Sequence, residues 1–237
     1  MKFANQYTYM EQIISTKARY YSKIIGIILL SFVVSNALYA HTVVGELEKM
    51  SGKDAAILYL ELGYTHILPL GFDHILFVLS LYLLSPKLKP VLYQATAFTV
   101  AHSVTLGLSM YHVIKPPTNI VEPVIALSIM YVALENIFSP KLKKSRIGVV
   151  FLFGLVHGMG FASALGQLGL PQKSYLTSIL MFNLGVELGQ ITVILSAYLL
   201  FGKWFGNKPW YRKVIVIPLS AIIAAIACFW TIQRIFF

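Results

Sequence analysis

The chain has 237 residues, of which 57% are hydrophobic and only 12% are charged, and its mean hydropathy is +0.74. Soluble domains usually carry about 25% charged residues, so this composition excludes an ordinary soluble domain and indicates an integral membrane protein. The single cysteine, Cys228, excludes an internal disulfide framework and a cysteine-rich metal site. The net charge of +10 requires no nucleic-acid partner, because membrane proteins concentrate lysine and arginine in their cytoplasmic loops.

The first 40 residues are organised like a secretory signal peptide, with a basic polar stretch, a short apolar run and the small residue Ala40 before His41. We expect cleavage after Ala40, with an uncleaved anchor helix as the alternative. Cleavage would make His41 the first residue, and its α-amine and imidazole could then chelate a metal such as Cu(II). Residues 41–65 would form an extracytoplasmic segment that carries a short interfacial helix over 54–65.

Six apolar segments that follow are candidates to span a membrane, and short loops connect them. They cover residues 66–84, 91–111, 120–138, 147–165, 175–200 and 214–234. The predicted fold class is therefore all-α, a polytopic membrane bundle of six transmembrane helices over residues 66–237. The sequence contains no nucleotide motif such as a Walker A loop, so we expect no direct use of ATP.

The distribution of basic residues predicts the orientation of the bundle. Loops 85–90, 139–146 and 201–213 carry two, four and four lysines or arginines, whereas loops 112–119 and 166–174 carry one each. Because basic residues concentrate on the cytoplasmic side, the first three loops are predicted to be cytoplasmic. The mature N-terminus and the C-terminus are then extracytoplasmic, and we expect the protein in the inner membrane of a bacterium.

Polar groups recur at a similar depth in four of the predicted spans, at about 1.5 Å per helical residue. Exposing them to lipid would be costly, so they should face one another or a wet cavity. Imidazole and carboxylate together suit divalent nickel, cobalt or zinc better than Cu(I). The predicted metal ligands are Asp73, His74, His102, His157 and Glu187. The alternatives are a local structural pair at Asp73-His74 and ordinary interhelical hydrogen bonds for the other histidines.

His66 needs a separate interpretation. It lies seven residues before Asp73, which is about 10 Å along a continuous helix and too far for both to bind one ion. Either Pro69 and Gly71 break the helix and turn His66 inward, or His66 occupies a separate outer position. We favour the continuous helix, with His66 at the entrance.

Other residues are predicted to support the site. Asn183, Glu187 and Gln190 share one helical stripe at i, i+4 and i+7. Two small-xxx-small pairs should let helices pack closely. The residues expected at the entrance or beside the ligands are His66, Ser103, Glu122, Asn183 and Gln190, and the packing glycines are Gly154, Gly158, Gly185 and Gly189. Glu135-Asn136, near Lys141 at the inner end, is expected to form a structural ion pair.

Five stretches in order resemble the HupE/UreJ family of small membrane proteins, particularly its second branch. They are residues 63–77, 98–106, 121–123, 153–162 and 182–190. Members of that family are regarded as secondary permeases for nickel, and possibly cobalt, that supply hydrogenase or urease. The resemblance implies that the family's His…Asp-His motif falls on His66, Asp73 and His74, and its His-Gly motif on His157 and Gly158.

The chain departs from the better-studied branch at three positions. That branch has five residues between the first histidine and the aspartate, whereas this chain has six. The better-studied branch also has a histidine and a glutamate where this chain has Phe153 and Gly160. Glu187 or His102 is a candidate to compensate for these two missing ligands.

These observations predict a membrane permease for a divalent transition metal, nickel or cobalt with zinc also possible, and not an enzyme. Its expected partners are the lipid bilayer and the metal ion, with neither nucleic acid nor nucleotide. One alternative is an intramembrane zinc hydrolase, which would need an open coordination position for water. The other is a non-catalytic membrane protein that binds a metal or assists assembly.

Overall fold

The computed structural model describes residues 50–115, 117–168 and 174–237, and every regular element in them is helical. The all-α fold class is therefore confirmed. Residues 1–40, predicted as a signal or anchor segment, and His41 lie outside the described part. The seven helices are α1 (Gly52–Ile67), α2 (Phe72–Leu84), α3 (Leu88–Met110), α4 (Thr118–Phe138), α5 (Arg146–Leu168), α6 (Tyr175–Ala197) and α7 (Ile217–Phe236). A π-helical turn, Tyr198–Gly202, extends α6 into Lys203–Phe205, and another, Arg212–Val216, precedes α7.

The helices identify a multi-pass membrane protein. Three stretches are long and apolar enough to cross a bilayer, namely Thr118–Phe138, Tyr175–Phe205 and Arg212–Phe236. Helices α1 and α2 qualify together as a fourth, bent by 68°. The apolar part of α5 is shorter, and α3 carries several buried polar side chains that lower its hydropathy. Three or four of the six predicted spans are thus supported by length and composition, and the count of six stays a prediction.

The segment 66–84, predicted as one continuous span, is two helices. Helix α1 ends at Ile67 and α2 begins at Phe72. Pro69 has no N–H to donate and its ring disfavours a continuing helix, and at Gly71 a side chain would clash with the His66 carbonyl. The prediction of a continuous helix with His66 at the surface is therefore wrong, and the alternative of a broken helix is observed.

Glycines set the closest helix pairs. Gly154 and Gly158 of α5 lie against the backbone of Phe98 and His102 in α3, where a Cβ atom would clash. Since the contacts advance together along both helices, α3 and α5 run in the same direction. Helix α6 crosses α3 in the opposite direction, because Asn183 and His102 are in contact and the residues that follow Asn183 meet those that precede His102.

Helix α1 packs along α6 rather than standing alone. Gly63 of α1 meets the backbone of Phe182, and Gly189 of α6 meets the side chain of Ile67. The two helices therefore run in the same direction. Residues 54–65, predicted as a short interfacial helix, form most of α1.

The remaining contacts complete an alternating arrangement. Helix α4 is antiparallel to α5, since Ser128 contacts His157 and Asn136 contacts Arg146. It is also antiparallel to α7, since Asn136 contacts Ser220 near the start of α7 and Glu122 lies beside Arg234 near its end. If α1 and α2 count as one bent pass, successive passes alternate in direction, as six crossings require.

Candidate metal site

Three imidazoles converge where α1 breaks. His66 lies in the last turn of α1, His74 in the first turn of α2 and His102 in α3. One nitrogen from each ring lies within 4.8 Å of the others. The rings of His66 and His74 are 4.6 Å apart between centroids, which a continuous helix could not achieve at this spacing. The break therefore creates this group of three histidines.

His157 of α5 adds a fourth imidazole. Its Nδ1 lies 3.4 Å from His74 Nε2, and its Nε2 lies 2.9 Å from Ser128 Oγ. Because the Ser128 hydroxyl donates to the Ile125 carbonyl at 2.6 Å, it accepts a hydrogen bond from His157 Nε2–H. The lone pair of His157 Nδ1 then faces His74. Two nitrogens on one tetrahedral ion are also about 3.4 Å apart, given metal–nitrogen bonds of about 2.1 Å.

Two ring nitrogens of this group are buried without a hydrogen-bond partner among the described residues, His66 Nε2 and His102 Nε2. His102 Nδ1 lies 3.1 Å from the amide oxygen of Asn183, whose own Nδ2 donates to the Ile179 carbonyl at 2.8 Å. The amide oxygen only accepts, so Nδ1 carries the hydrogen of His102 and Nε2 carries a lone pair. A buried lone pair with no donor is what a metal ligand presents before an ion binds.

Aromatic rings hold the imidazoles in place. The ring of Phe161 lies 3.9 Å from that of His66, and Phe182 stacks on Phe161 at 4.9 Å. Phe98 lies 5.0 Å from His157 and 6.0 Å from His102. Because these rings restrict the histidine rotamers, the four nitrogens are preorganised rather than free to move apart. We call His66, His74, His102 and His157 the histidine chamber.

A cavity of about 650 Å³ leads to the chamber. Its lining includes His66, His74 and His157 together with Asp73, Glu122 and Arg234. A divalent ion with six waters occupies about 180 Å³, at about 30 Å³ per water. The cavity is therefore large enough to hold a hydrated cation. Ser128, which contacts the chamber, lies halfway along α4, so the chamber lies near mid-height of the bundle.

Asp73, a predicted ligand, is paired with an arginine. Arg234 Nη2 donates to Asp73 Oδ2 at 2.9 Å and to Oδ1 at 3.1 Å. Arg234 Nη1 lies 3.6 Å from Glu122 Oε2 and donates to the Glu122 carbonyl at 3.2 Å. Asp73 is not one of the three residues whose ligand atoms converge, although its neighbour His74 is.

Arg234 is the main residue of this region that the sequence interpretation missed. It lies at the end of the last span, which the loop charges predict to be extracytoplasmic. An arginine at that end is contrary to the general bias of basic residues toward the cytoplasm. That exception was the available signal that Arg234 has a partner inside the protein.

Glu187, the other predicted carboxylate ligand, also lies apart from the three converging nitrogens. Its Oε1 accepts a hydrogen bond from Thr96 at 2.7 Å, and its Oε2 is buried with no hydrogen-bond partner among the described residues. Gln190, one turn further along α6, is fully buried and neither of its side-chain polar atoms has a hydrogen-bond partner there. The predicted stripe thus reaches the chamber through Asn183 only. Ser103 bonds to the Thr99 carbonyl of its own helix at 2.7 Å.

The family model described as HupE / UreJ protein matches residues 42–234, which contain all four histidines of the chamber and nearly all of the seven helices. No curated protein and no solved structure matches the chain.

Proposed function

Because this chain belongs to the HupE/UreJ family, we propose that it is a secondary permease for a divalent transition metal, nickel or cobalt, in the inner membrane of a bacterium. The family is associated with nickel and cobalt transport rather than with catalysis. The observation that carries the proposal is the convergence of one nitrogen each from His66, His74 and His102 within 4.8 Å. Neutral imidazole is a good ligand for both metals.

The proposed ligands are the four histidines of the chamber. His74 and His157 already face each other at a distance that suits one ion, and a small movement of His66 and His102 would complete four-coordination. Asp73 and Glu122 are assigned to the entrance, where their negative charge attracts the cation and Arg234 competes with it. Glu187 is left outside the ligand set because it bonds to Thr96 instead.

The broken span supports a transport role on physical grounds. Transporters commonly place an ion site where a membrane helix is discontinuous, because helix ends supply partial charges at that depth. The C-terminal end of α1, which carries His66, has a partial negative charge that favours a cation. We therefore propose that α1 and α2 form one interrupted pass, and that metal enters from the extracytoplasmic side through the cavity.

The ligand chemistry makes metal binding sensitive to pH. In the structure, the contact of His74 with His157 needs one proton between two nitrogens. If a metal ion bound the lone pair of His74 Nε2, that proton would move to Nδ1 of the same neutral ring, so this contact alone would release no proton. Acid protonates the ligand nitrogens, so metal affinity should fall as the pH is lowered.

The proposal is tested by Co²⁺ titration of purified protein, followed through the visible absorption of bound cobalt, together with Co²⁺ uptake into proteoliposomes. We expect His74→Ala and His102→Ala to lose at least tenfold in affinity and to abolish most uptake. The matched control is His112→Ala, because His112 is exposed in the loop after α3. Affinity and uptake that stay unchanged in both chamber variants would reject this site, and equal losses in His112→Ala would show a non-specific effect.

A further inference from the structure

The lining of the cavity that reaches the histidine chamber stops at the chamber. On α4 and α7 its lining comes from the outer part of the helix, and on α2 it extends no further than His74. On α5 it includes His157 and later residues but none that precede it. Among the described residues, the lining that leads away from the chamber therefore runs toward the face where α4 begins and α7 ends.

A phenylalanine forms the floor of the chamber. Phe77, one turn after His74 on α2, is fully buried. Its ring lies 5.2 Å from that of His157, 5.0 Å from that of Phe98 and 6.2 Å from that of Phe153. The rings of Phe77, Phe98 and Phe153 themselves carry no ligand atom for a cation that would move inward along α2.

One layer further inward lies a fully buried arginine. Arg146, the first residue of α5, has a side chain with 0% exposure. Its Nη1 donates to Asn136 Oδ1 at 3.0 Å and lies 3.4 Å from Glu135 Oε2, and its Nη2 donates to the Ser80 carbonyl at 3.3 Å. A buried charge in a membrane protein is costly, and its retention commonly marks a functional group.

The bonds of Arg146 tie four helices together. Asn136 Nδ2 donates to the same Ser80 carbonyl at 2.8 Å and to Ser220 Oγ at 3.3 Å. The cluster thus joins α2, α4, α5 and α7 at a single point. Ser80 follows Phe77 by three residues on α2, so the bond to its carbonyl also holds the phenylalanine in place.

We propose that Arg146 is the inner latch of the metal path: it holds α2 against α4 and α5 so that Phe77 closes the floor of the histidine chamber. The inference rests on the proposed transport function. Metal leaves inward only after Arg146 releases the Ser80 carbonyl and α2 moves, which shifts Phe77 and His74 together. The positive charge of Arg146 adds a barrier to any cation that passes while the latch is closed.

Thiol accessibility tests the latch without depending on metal transport. In a Cys228→Ser background, Ser80→Cys places a thiol beside the latch, and it leaves the bonds intact because they involve the Ser80 carbonyl. A membrane-impermeant methanethiosulfonate is applied to right-side-out and to inside-out vesicles in separate experiments. With Arg146 present, we expect slow labelling from both faces.

Adding Arg146→Lys should accelerate labelling at least tenfold from the face where α4 ends and α5 begins, and leave the rate from the other face unchanged. Lysine keeps the charge but has a single ammonium in place of the guanidinium fork that joins Asn136 to Ser80. Arg146→Gln should accelerate it further. The matched control is Lys144→Gln, an exposed basic residue two positions earlier, which should label like the parent.

Two results would overturn the latch. The first is a rate unchanged by both Arg146 variants. The second is equal acceleration from both faces, since that would mean that Arg146 only supports the fold. If the parent itself binds no Co²⁺, the transport proposal fails, and one-sided labelling still reports whether Arg146 closes the inner side.

Discussion

Helices α2 and α4 are joined near both of their ends by an arginine, and the two arginines differ in their surroundings. At the cavity end, Arg234 pairs with Asp73 of α2 and Glu122 of α4, and its side chain is 23% exposed. At the other end, Arg146 bonds to Ser80 of α2 and to Glu135 and Asn136 of α4 with 0% exposure. The same pair of helices is thus joined by one contact that is partly exposed to water and by one that is fully buried.

The difference in exposure sets how much each contact contributes. Ion pairs that water can reach contribute about 0.2–1 kcal/mol. Removing one partner of a buried pair costs about 3–5 kcal/mol, because the other polar groups are left without compensation. The cavity end should therefore open readily to an arriving ion, whereas the inner end should open only in a concerted movement of α2.

The largest expected effect on this comparison comes from Arg146→Gln. It should lower the free energy of unfolding by about 3–5 kcal/mol, because Glu135, Asn136 and the Ser80 carbonyl lose their shared donor inside the bundle. Denaturant unfolding in detergent micelles measures the change. A loss below about 1 kcal/mol would place the inner contact in the same class as the outer one and remove the contrast.

A smaller effect is expected for Arg234→Gln, and it is a gain in metal affinity rather than a loss of stability. The substitution removes the positive charge that competes for Asp73 and Glu122, so Co²⁺ affinity should rise by about tenfold at low ionic strength. The rise should shrink as salt is added, because the cavity is open to solvent. Co²⁺ titration at two salt concentrations checks both statements, with Lys144→Gln as the control.

A fall in Co²⁺ affinity for Arg234→Gln would contradict this interpretation. It would mean that Arg234 is needed to orient Asp73 and, through it, the neighbouring His74. In that case the entrance would be part of the metal site rather than a competitor for the ion.

The histidines of the chamber show how much of the site can be predicted from the sequence. Counting helical rise placed His102 and His157 at a common depth, and the structure brings both to the chamber. Such counting assumes continuous helices. It gives the wrong distance between His66 and His74, because the chain turns between α1 and α2 and brings the two rings to 4.6 Å. Pro69 and Gly71 were the visible signals, but neither residue type specifies how far or in which direction a chain turns.

Pairings between distant residues were beyond sequence reasoning for a different reason. Asp73 and Arg234 are separated by 161 positions, and periodicity assigns a face of a helix without naming its partner. Arg146 was counted as a loop charge because the positive-inside pattern sums residues without regard to burial. Glu135 was expected to pair near Lys141, and the structure instead pairs it with Arg146.

The smallest expected effect is that of Glu122→Gln, which tests whether the exposed contact at the cavity end contributes little to stability. Glu122 is 43% exposed and its Oε2 lies 3.6 Å from Arg234, while the shorter bonds of Arg234 go to Asp73. The free energy of unfolding should fall by less than about 0.5 kcal/mol, since exposed pairs contribute little. The same substitution should lower Co²⁺ affinity about two- to threefold, because it removes one negative charge from the solvated entrance. A loss of stability as large as that of Arg146→Gln would show that the outer contact is also a fixed structural joint, and the two ends of α2 and α4 would then be held alike.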